Sequence, residues 1–182
     1  MAKQFEEIDD TLKAFIQSQN IFFVATADVD GKVNLSPKGG DSLRVLEPNR
    51  VIWLNLTGSG NETAAHILNK NRITIMLCAF DGKPLILRLY GTAKIYYEQD
   101  KEWAELINHF PDYSGKRQIF DVTVELVQTS CGYAVPNYEF LSERNELDNW
   151  AVKQGPEKIK KYWEDNNRFS VDGKPTGIPT ND

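Results

Sequence analysis

Cysteine, histidine and methionine are scarce, each occurring only twice among the 182 residues. Cys78 and Cys131 lie far apart and lack the short spacing of metal ligands, so we expect free thiols and no metal site. His66 and His109 fall in separate predicted helices without neighbouring ligands, which indicates structural histidines. No nucleophile elbow and no paired-carboxylate motif stands out, so the sequence names no catalytic residue.

An excess of basic residues is also missing. The chain has 21 lysines and arginines against 26 aspartates and glutamates, a net charge of −5. A general nucleic-acid binder needs a basic surface to displace counterions, so that class is excluded. The polar, acidic first ten residues do not resemble a signal peptide, and no apolar run is long enough to span a bilayer. We expect a cytoplasmic protein without membrane or nucleic-acid partners.

Apolar residues recur with a period of two along much of the chain, which predicts β-strands. The run at 51–56 is apolar on both faces and is expected to be central, while Asp30-Gly31 predicts a hairpin turn. Tight turns between strands favour an antiparallel sheet closed into a barrel. We predict six or seven strands, within 21–27, 32–36, 43–46, 51–56, 72–80, 85–96 and 120–126.

Apolar stripes with helical spacing predict helices that flank this barrel, at 5–16, 62–69 and 103–110. Two more are expected around 147–163, split at Gly155-Pro156, since proline suits a first helical turn. The glycine- and proline-rich stretch 172–182 is expected on the surface. The fold class is therefore mostly β (α+β), with a barrel domain at 1–135 and a C-terminal helical extension at 136–182 packing on it.

The segment from Gly58 to Thr63 follows a strand and opens a helix. A helix N-terminus presents unpaired N–H groups and partial positive charge, which suits a phosphate. Asn61 and Thr63 add side-chain donors. The alternative is that Asn61 only caps the helix while the glycines make the turn.

A second segment, from Asn34 to Gly40, ends a strand with Ser36, Pro37, Lys38 and two glycines. Proline stops ladder pairing, and glycine allows a ligand to approach the backbone closely. Lys38 can act as a point charge for phosphate, unless this is simply a polar loop at the barrel rim. Arg88 lies on the polar face of its strand, where an exposed charge is the ordinary explanation.

Taken together, these motifs resemble the FMN-binding proteins related to pyridoxamine 5′-phosphate oxidase. The resemblance covers nearly the whole chain, and it depends on the order and spacing of individually weak motifs. They lie at 33–39, 53–55, 60–67, 75–80, 84–91, 131–136 and 170–173.

This resemblance implies an antiparallel split β-barrel of the FMN-binding type, as a homodimer with FMN in clefts between the subunits. The true oxidases, from which this chain departs, carry basic residues at the positions of Asn61, Glu62 and Thr63. Since Glu62 is acidic, Lys38, another basic residue or backbone donors must compensate. The implied cofactor-binding residues are Asn34, Ser36, Pro37, Lys38, Trp53, Leu54, Asn55, Asn61, Glu62, Thr63, Arg88, Tyr133 and Trp150.

The leading hypothesis is an FMN-dependent oxidoreductase with an unknown small-molecule substrate, because the full residue set for pyridoxal phosphate is missing. Alternatives are a non-catalytic flavin-binding redox or stress module, an F420- or haem-binding member of the fold, and an interaction module without cofactor. Tyr133 or Trp150 is expected to cover the flavin by stacking, unless Trp150 only packs its helix onto the barrel.

Overall fold

The computed structural model describes residues 2–179. Among them are eight strands and four helices, with a 3₁₀ turn at Ile107–His109 that extends α3. The strands are β1 (Lys3–Phe5), β2 (Phe22–Thr26), β3 (Asn34–Lys38), β4 (Leu43–Glu47), β5 (Arg50–Leu56), β6 (Ile73–Cys78), β7 (Ile86–Tyr96) and β8 (Lys116–Ser130). The helices are α1 (Asp10–Gln17), α2 (Glu62–Asn69), α3 (Trp103–Leu106) and α4 (Glu146–Asn166).

All strands pair antiparallel in one sheet of order β3-β2-β6-β7-β8-β5-β4, and β1 adds to β8. The long strands β7 and β8 form its centre. β3 and β4 stand at the two ends of this path and do not pair with each other, which is the split form of a barrel. The predicted antiparallel, mostly β fold is confirmed.

Strand β5 is buried on both faces, as its apolar run predicted. On one face Trp53 stacks on Phe120 with ring centroids 4.7 Å apart, inside the main core. On the other, Ile52 and Leu54 pack with Trp103 in a second core. Because β5 is packed between two hydrophobic layers, the residues at its end are held in fixed positions.

A bulge at Tyr90 and Gly91 shifts the register between β7 and β8. A Cβ atom on Gly91 would lie 1.9 Å from the backbone oxygen of Thr123. Only glycine permits this close approach of two backbones.

The first residues differ from the prediction. Lys3–Phe5 forms a strand on β8, and the helix starts later because Asp9 caps it, accepting a hydrogen bond from the Leu12 N–H at 2.7 Å. An aspartate at this position satisfies an otherwise unpaired helical donor. The helix therefore begins at Asp10 rather than near Phe5.

The C-terminal region contains α4, whose backbone breaks at Gly155 (φ +74°) as predicted. The tail beyond it was expected on the surface, which is wrong for Thr176 and Ile178, since both are buried. An ion pair anchors this tail: Lys174 Nζ donates to the buried Asp28 at 2.6 Å. None of the helices among residues 2–179 combines the length and apolarity needed to cross a bilayer.

Candidate functional site

A groove of about 800 Å³ opens between the end of β3, the end of β5 and the segment that leads into α4. The backbone N–H of Tyr138 donates to the Phe80 carbonyl at 2.8 Å, which holds this segment beside the barrel. Ligand sites are concave, largely apolar and of this size. The apolar and aromatic part of the lining includes Trp53, Leu54, Leu56, Phe80, Tyr138 and Phe140.

Lys38 and Trp53 form the polar-aromatic pair of this groove. Lys38 Nζ lies 5.1 Å from the centroid of the Trp53 ring, which is cation–π distance. Burial, with a smaller contribution from the positive charge of Arg117, lowers the pKa of Lys38 to about 8. Among the described residues no carboxylate lies within ion-pair distance of Lys38, although four carboxylates line the same groove. The ammonium group is therefore available to an anionic ligand.

Five of the predicted site residues line the groove together. They are Pro37, Lys38, Trp53, Leu54 and Asn55. β3 and β5 lie at or near opposite ends of the strand order, so it is the curvature of the sheet that brings these residues together.

Asn34 and Thr63, two other predicted site residues, bond to each other instead. Asn34 Nδ2 donates to Thr63 Oγ1 at 3.1 Å, and Thr26 Oγ1 lies 3.0 Å from His66 Nδ1 in the same network. Ser36 lies between Asn34 and Lys38 on the same face of β3, half-buried. The contact between Asn34 and Thr63 helps to hold β3 and α2 together.

Asn61 does not cap α2 with its side chain, so the capping alternative is wrong. It is buried, and its Oδ1 accepts a hydrogen bond from Gln118 Nε2 at 2.8 Å. Among the described residues Asn61 Nδ2 and Gln118 Oε1 have no partner. The Glu62 carboxylate accepts a hydrogen bond from the Val171 N–H at 3.1 Å, and this bond joins the C-terminal tail to the start of α2.

Arg117 is a buried cation that the sequence prediction missed. It is 4% exposed, and its Nη1 donates to the Gly60 carbonyl at 3.1 Å and to Asn167 Oδ1 at 2.6 Å. Burial lowers its pKa to about 10. Arg117 precedes Ile119 by two positions on β8, and strand alternation would have placed both on the same buried face.

Arg88, Tyr133 and Trp150 lie outside the groove lining. Arg88 donates to Ser130 Oγ at 3.3 Å, and Tyr133 is 82% exposed. Trp150 packs edge-on against Tyr162, with ring centroids 5.3 Å apart. Their assignment to a cofactor stays a prediction, and for Trp150 the geometry favours the packing alternative.

The family model for pyridoxamine 5′-phosphate oxidase matches residues 8–131, more than half of the chain. The chain belongs to the pyridoxamine 5′-phosphate oxidase family. The family match spans every strand from β2 to β8.

Individual relatives agree with this family. The family protein ustO of Aspergillus flavus is 36% identical over 137 residues, covering 72% of this chain and 55% of the relative. The chain thus spans about half the length of that protein.

Solved structures share the fold. A single-residue variant of HupZ from Group A Streptococcus is 25% identical with a TM-score of 0.52, covering 68% of this chain and 99% of its own. An FAD binding protein of Mycobacterium smegmatis is 14% identical with a TM-score of 0.50, and the match covers 70% of this chain and 98% of that protein. At such low identity the second likeness concerns the fold alone.

Proposed function

We propose that the groove binds FMN and that the protein is an FMN-dependent oxidoreductase acting on a small molecule. The observation that carries this proposal is Lys38, a cation without a carboxylate partner among the described residues, above the Trp53 ring in an apolar groove. Such a combination suits a ligand that joins a flat ring system to an anionic group.

The residues present fit this cofactor. The aromatic and apolar walls suit an isoalloxazine ring, and the groove volume of about 800 Å³ lies within the range of ligand sites. Lys38 would hold the phosphate, helped by the backbone N–H of Gly58, which also lines the groove. The Thr57 N–H is already bonded to the Gly115 carbonyl at 2.7 Å. A bound flavin supplies the redox chemistry, while the protein supplies binding, orientation and shielding from water.

Asn61, Glu62 and Thr63 lie at the start of α2 and outside the groove lining. Their side chains are engaged with Gln118, Val171 and Asn34 respectively. The proposed phosphate site therefore relies on Lys38 and Gly58, and a part for Asn61, Glu62 and Thr63 stays a prediction.

The family supports a flavin in general. Because the chain spans about half of the Aspergillus relative, the activity of that whole protein is not carried over. We place the protein in the cytoplasm, since both cysteines are free.

We also propose a homodimer. Exposed apolar side chains include Leu35 on β3, 65% exposed, and Tyr133 and Leu141 on the segment after β8, 82% and 83% exposed. Burying them against a second copy would remove this surface from water. We expect a dimer at micromolar concentration by light scattering, with an interface above about 2,000 Å². A monomer with stoichiometric FMN would contradict the interface.

The decisive experiment is to purify the protein, release any chromophore and identify it by mass spectrometry. We expect a yellow protein with about one FMN per chain, the stoichiometry of one ligand in one groove. Titration of the holoprotein with NADH and NADPH then tests for turnover. A colourless protein that takes up no FMN at micromolar concentration would refute the proposal, and a haem or F420 spectrum would identify the alternative ligand.

A further inference from the structure

A second cavity, of about 270 Å³, lies between β8 and α4 and shares no lining residue with the groove. Three of its residues are basic and three are aromatic. They are Lys116, Arg117 and Lys160, with Tyr97, Trp103 and Trp163.

Arg117 is the central feature of this cavity. Its Nη1 is saturated by the two acceptors described above, Gly60 and Asn167. Its Nε is fully buried and has no acceptor among the described residues. A buried donor without an acceptor is costly, and a buried charge without a counter-charge more so. An acceptor that reached Nε from the cavity would remove this cost, and Arg117 is one of the residues that line the cavity.

The carboxylates nearby do not fill this role. Glu98 and Glu164 line the cavity, but within residues 2–179 neither is within ion-pair distance of Arg117. Lys116 is already engaged with Asp112 at 2.6 Å. With Lys116 paired to Asp112, the two remaining basic groups and the two carboxylates of the lining carry no net charge, so Arg117 Nε is the group that lacks a partner.

The cavity walls are fixed in place. Trp163 Nε1 donates to Thr57 Oγ1 at 2.9 Å, and Trp103 is buried in the second core. Tyr97 donates its hydroxyl to the Thr176 carbonyl at 3.2 Å. A pre-formed pocket with rigid aromatic walls loses little entropy on binding.

We propose that this cavity is a binding site, separate from the flavin groove, for the oxyanion of a small molecule, either a carboxylate or a phosphate. A guanidinium group is suited to such planar or multidentate acceptors, and the oxyanion would give Arg117 Nε its missing partner. The aromatic walls would cover the remainder of the ligand.

The proposal is tested with inorganic phosphate and with benzoate as separate probes, on the full chain with and without saturating FMN. The readout is the Nε–H resonance of Arg117 in nitrogen-15 NMR, identified by its loss in Arg117→Lys. We expect a saturable shift that FMN does not abolish. Tighter binding of benzoate would identify a carboxylate ligand, and tighter binding of phosphate a phosphate ligand.

Matched variants separate binding from folding, with affinity measured by calorimetry. Arg117→Gln should weaken the preferred probe by about tenfold or more, the effect of losing a charged hydrogen bond. If Arg117→Gln does not fold, a comparison of two variants at exposed lysines tests the proposal instead. Lys160→Gln should weaken binding about two- to fivefold through lost charge. Lys161→Gln is the control and should leave binding unchanged, because Lys161 lies outside the cavity and is paired with Asp165.

Three results would overturn the proposal. One is the absence of any shift with either probe at tens of millimolar, and another is displacement of the probe by FMN. The third is a folded Arg117→Gln protein that binds the probe as tightly as the unmodified chain. If Arg117→Gln does not fold, the third is an equal effect of Lys160→Gln and Lys161→Gln on probe affinity.

Discussion

The affinity for FMN should depend on pH through Lys38, whereas the affinity for riboflavin should not. The pKa of Lys38 is lowered to about 8 by burial, so the ammonium group loses its proton within an accessible pH range. A bound phosphate dianion would favour the charged form, and its own second pKa of about 6 keeps it doubly charged above neutrality. Riboflavin lacks the phosphate and serves as the matched ligand.

The magnitude follows from the protonated fraction of this lysine. With a pKa of about 8, Lys38 is about nine-tenths protonated at pH 7 and about one-tenth at pH 9. If only the charged form holds the phosphate, the apparent Kd for FMN rises about tenfold between pH 7 and pH 9. In the ligand-free protein the unfolded chain binds more protons in this range, so the Lys38 contribution makes stability rise from pH 8 toward 10.5.

The assay is a titration of apoprotein followed by flavin fluorescence at several pH values. Lys38→Ala should weaken FMN about ten- to a hundredfold at pH 7, weaken riboflavin far less, and remove the pH dependence. Lys38→Arg keeps its charge at pH 9, so it should bind FMN without the pH dependence. Equal pH dependence for both ligands, or a dependence that survives in Lys38→Ala, would refute the role of Lys38 at the phosphate.

Three further predictions concern stability. Gly91→Ala should lower the free energy of unfolding by about 3 kcal/mol or more, since its Cβ would overlap a backbone oxygen. Gly58→Ala is the control: no atom lies within 4 Å of its Cβ, so the free energy of unfolding should change by less than about 0.5 kcal/mol. Both changes are measured by chemical denaturation. Trp150→Leu should lower stability by about 1 kcal/mol and leave flavin fluorescence unchanged, because its ring packs on another aromatic ring; a rise in fluorescence at constant thermal midpoint would indicate stacking on the flavin. The hydrogen bond from Lys174, followed by that from an asparagine, holds the pKa of Asp28 well below its usual range, so its stabilisation is present above pH 3.8 and lost as the pH falls below it. Asp28→Asn should therefore reduce stability at pH 7 and flatten the acid limb of the pH–stability curve, and an unchanged acid limb would contradict this ion pair.

The sequence by itself determined the class of fold and part of the candidate site. Alternation of apolar and polar residues is a local signal, because successive strand side chains point to opposite faces. It therefore identified strands such as 51–56, and a run buried on both faces could only be central. Proline and the glycines after Lys38 likewise indicated that β3 ends at a ligand-accessible rim.

Only the tertiary structure decided which polar groups meet. Asn61 can cap a helix locally, but it bonds instead to Gln118, which is distant in sequence and brought close by the pairing of β5 with β8. Arg117 became a buried cation because Asn167 at the end of α4 covers it. Whether a polar side chain bonds to a local or a distant partner depends on burial and packing. Neither can be read from a short stretch of sequence.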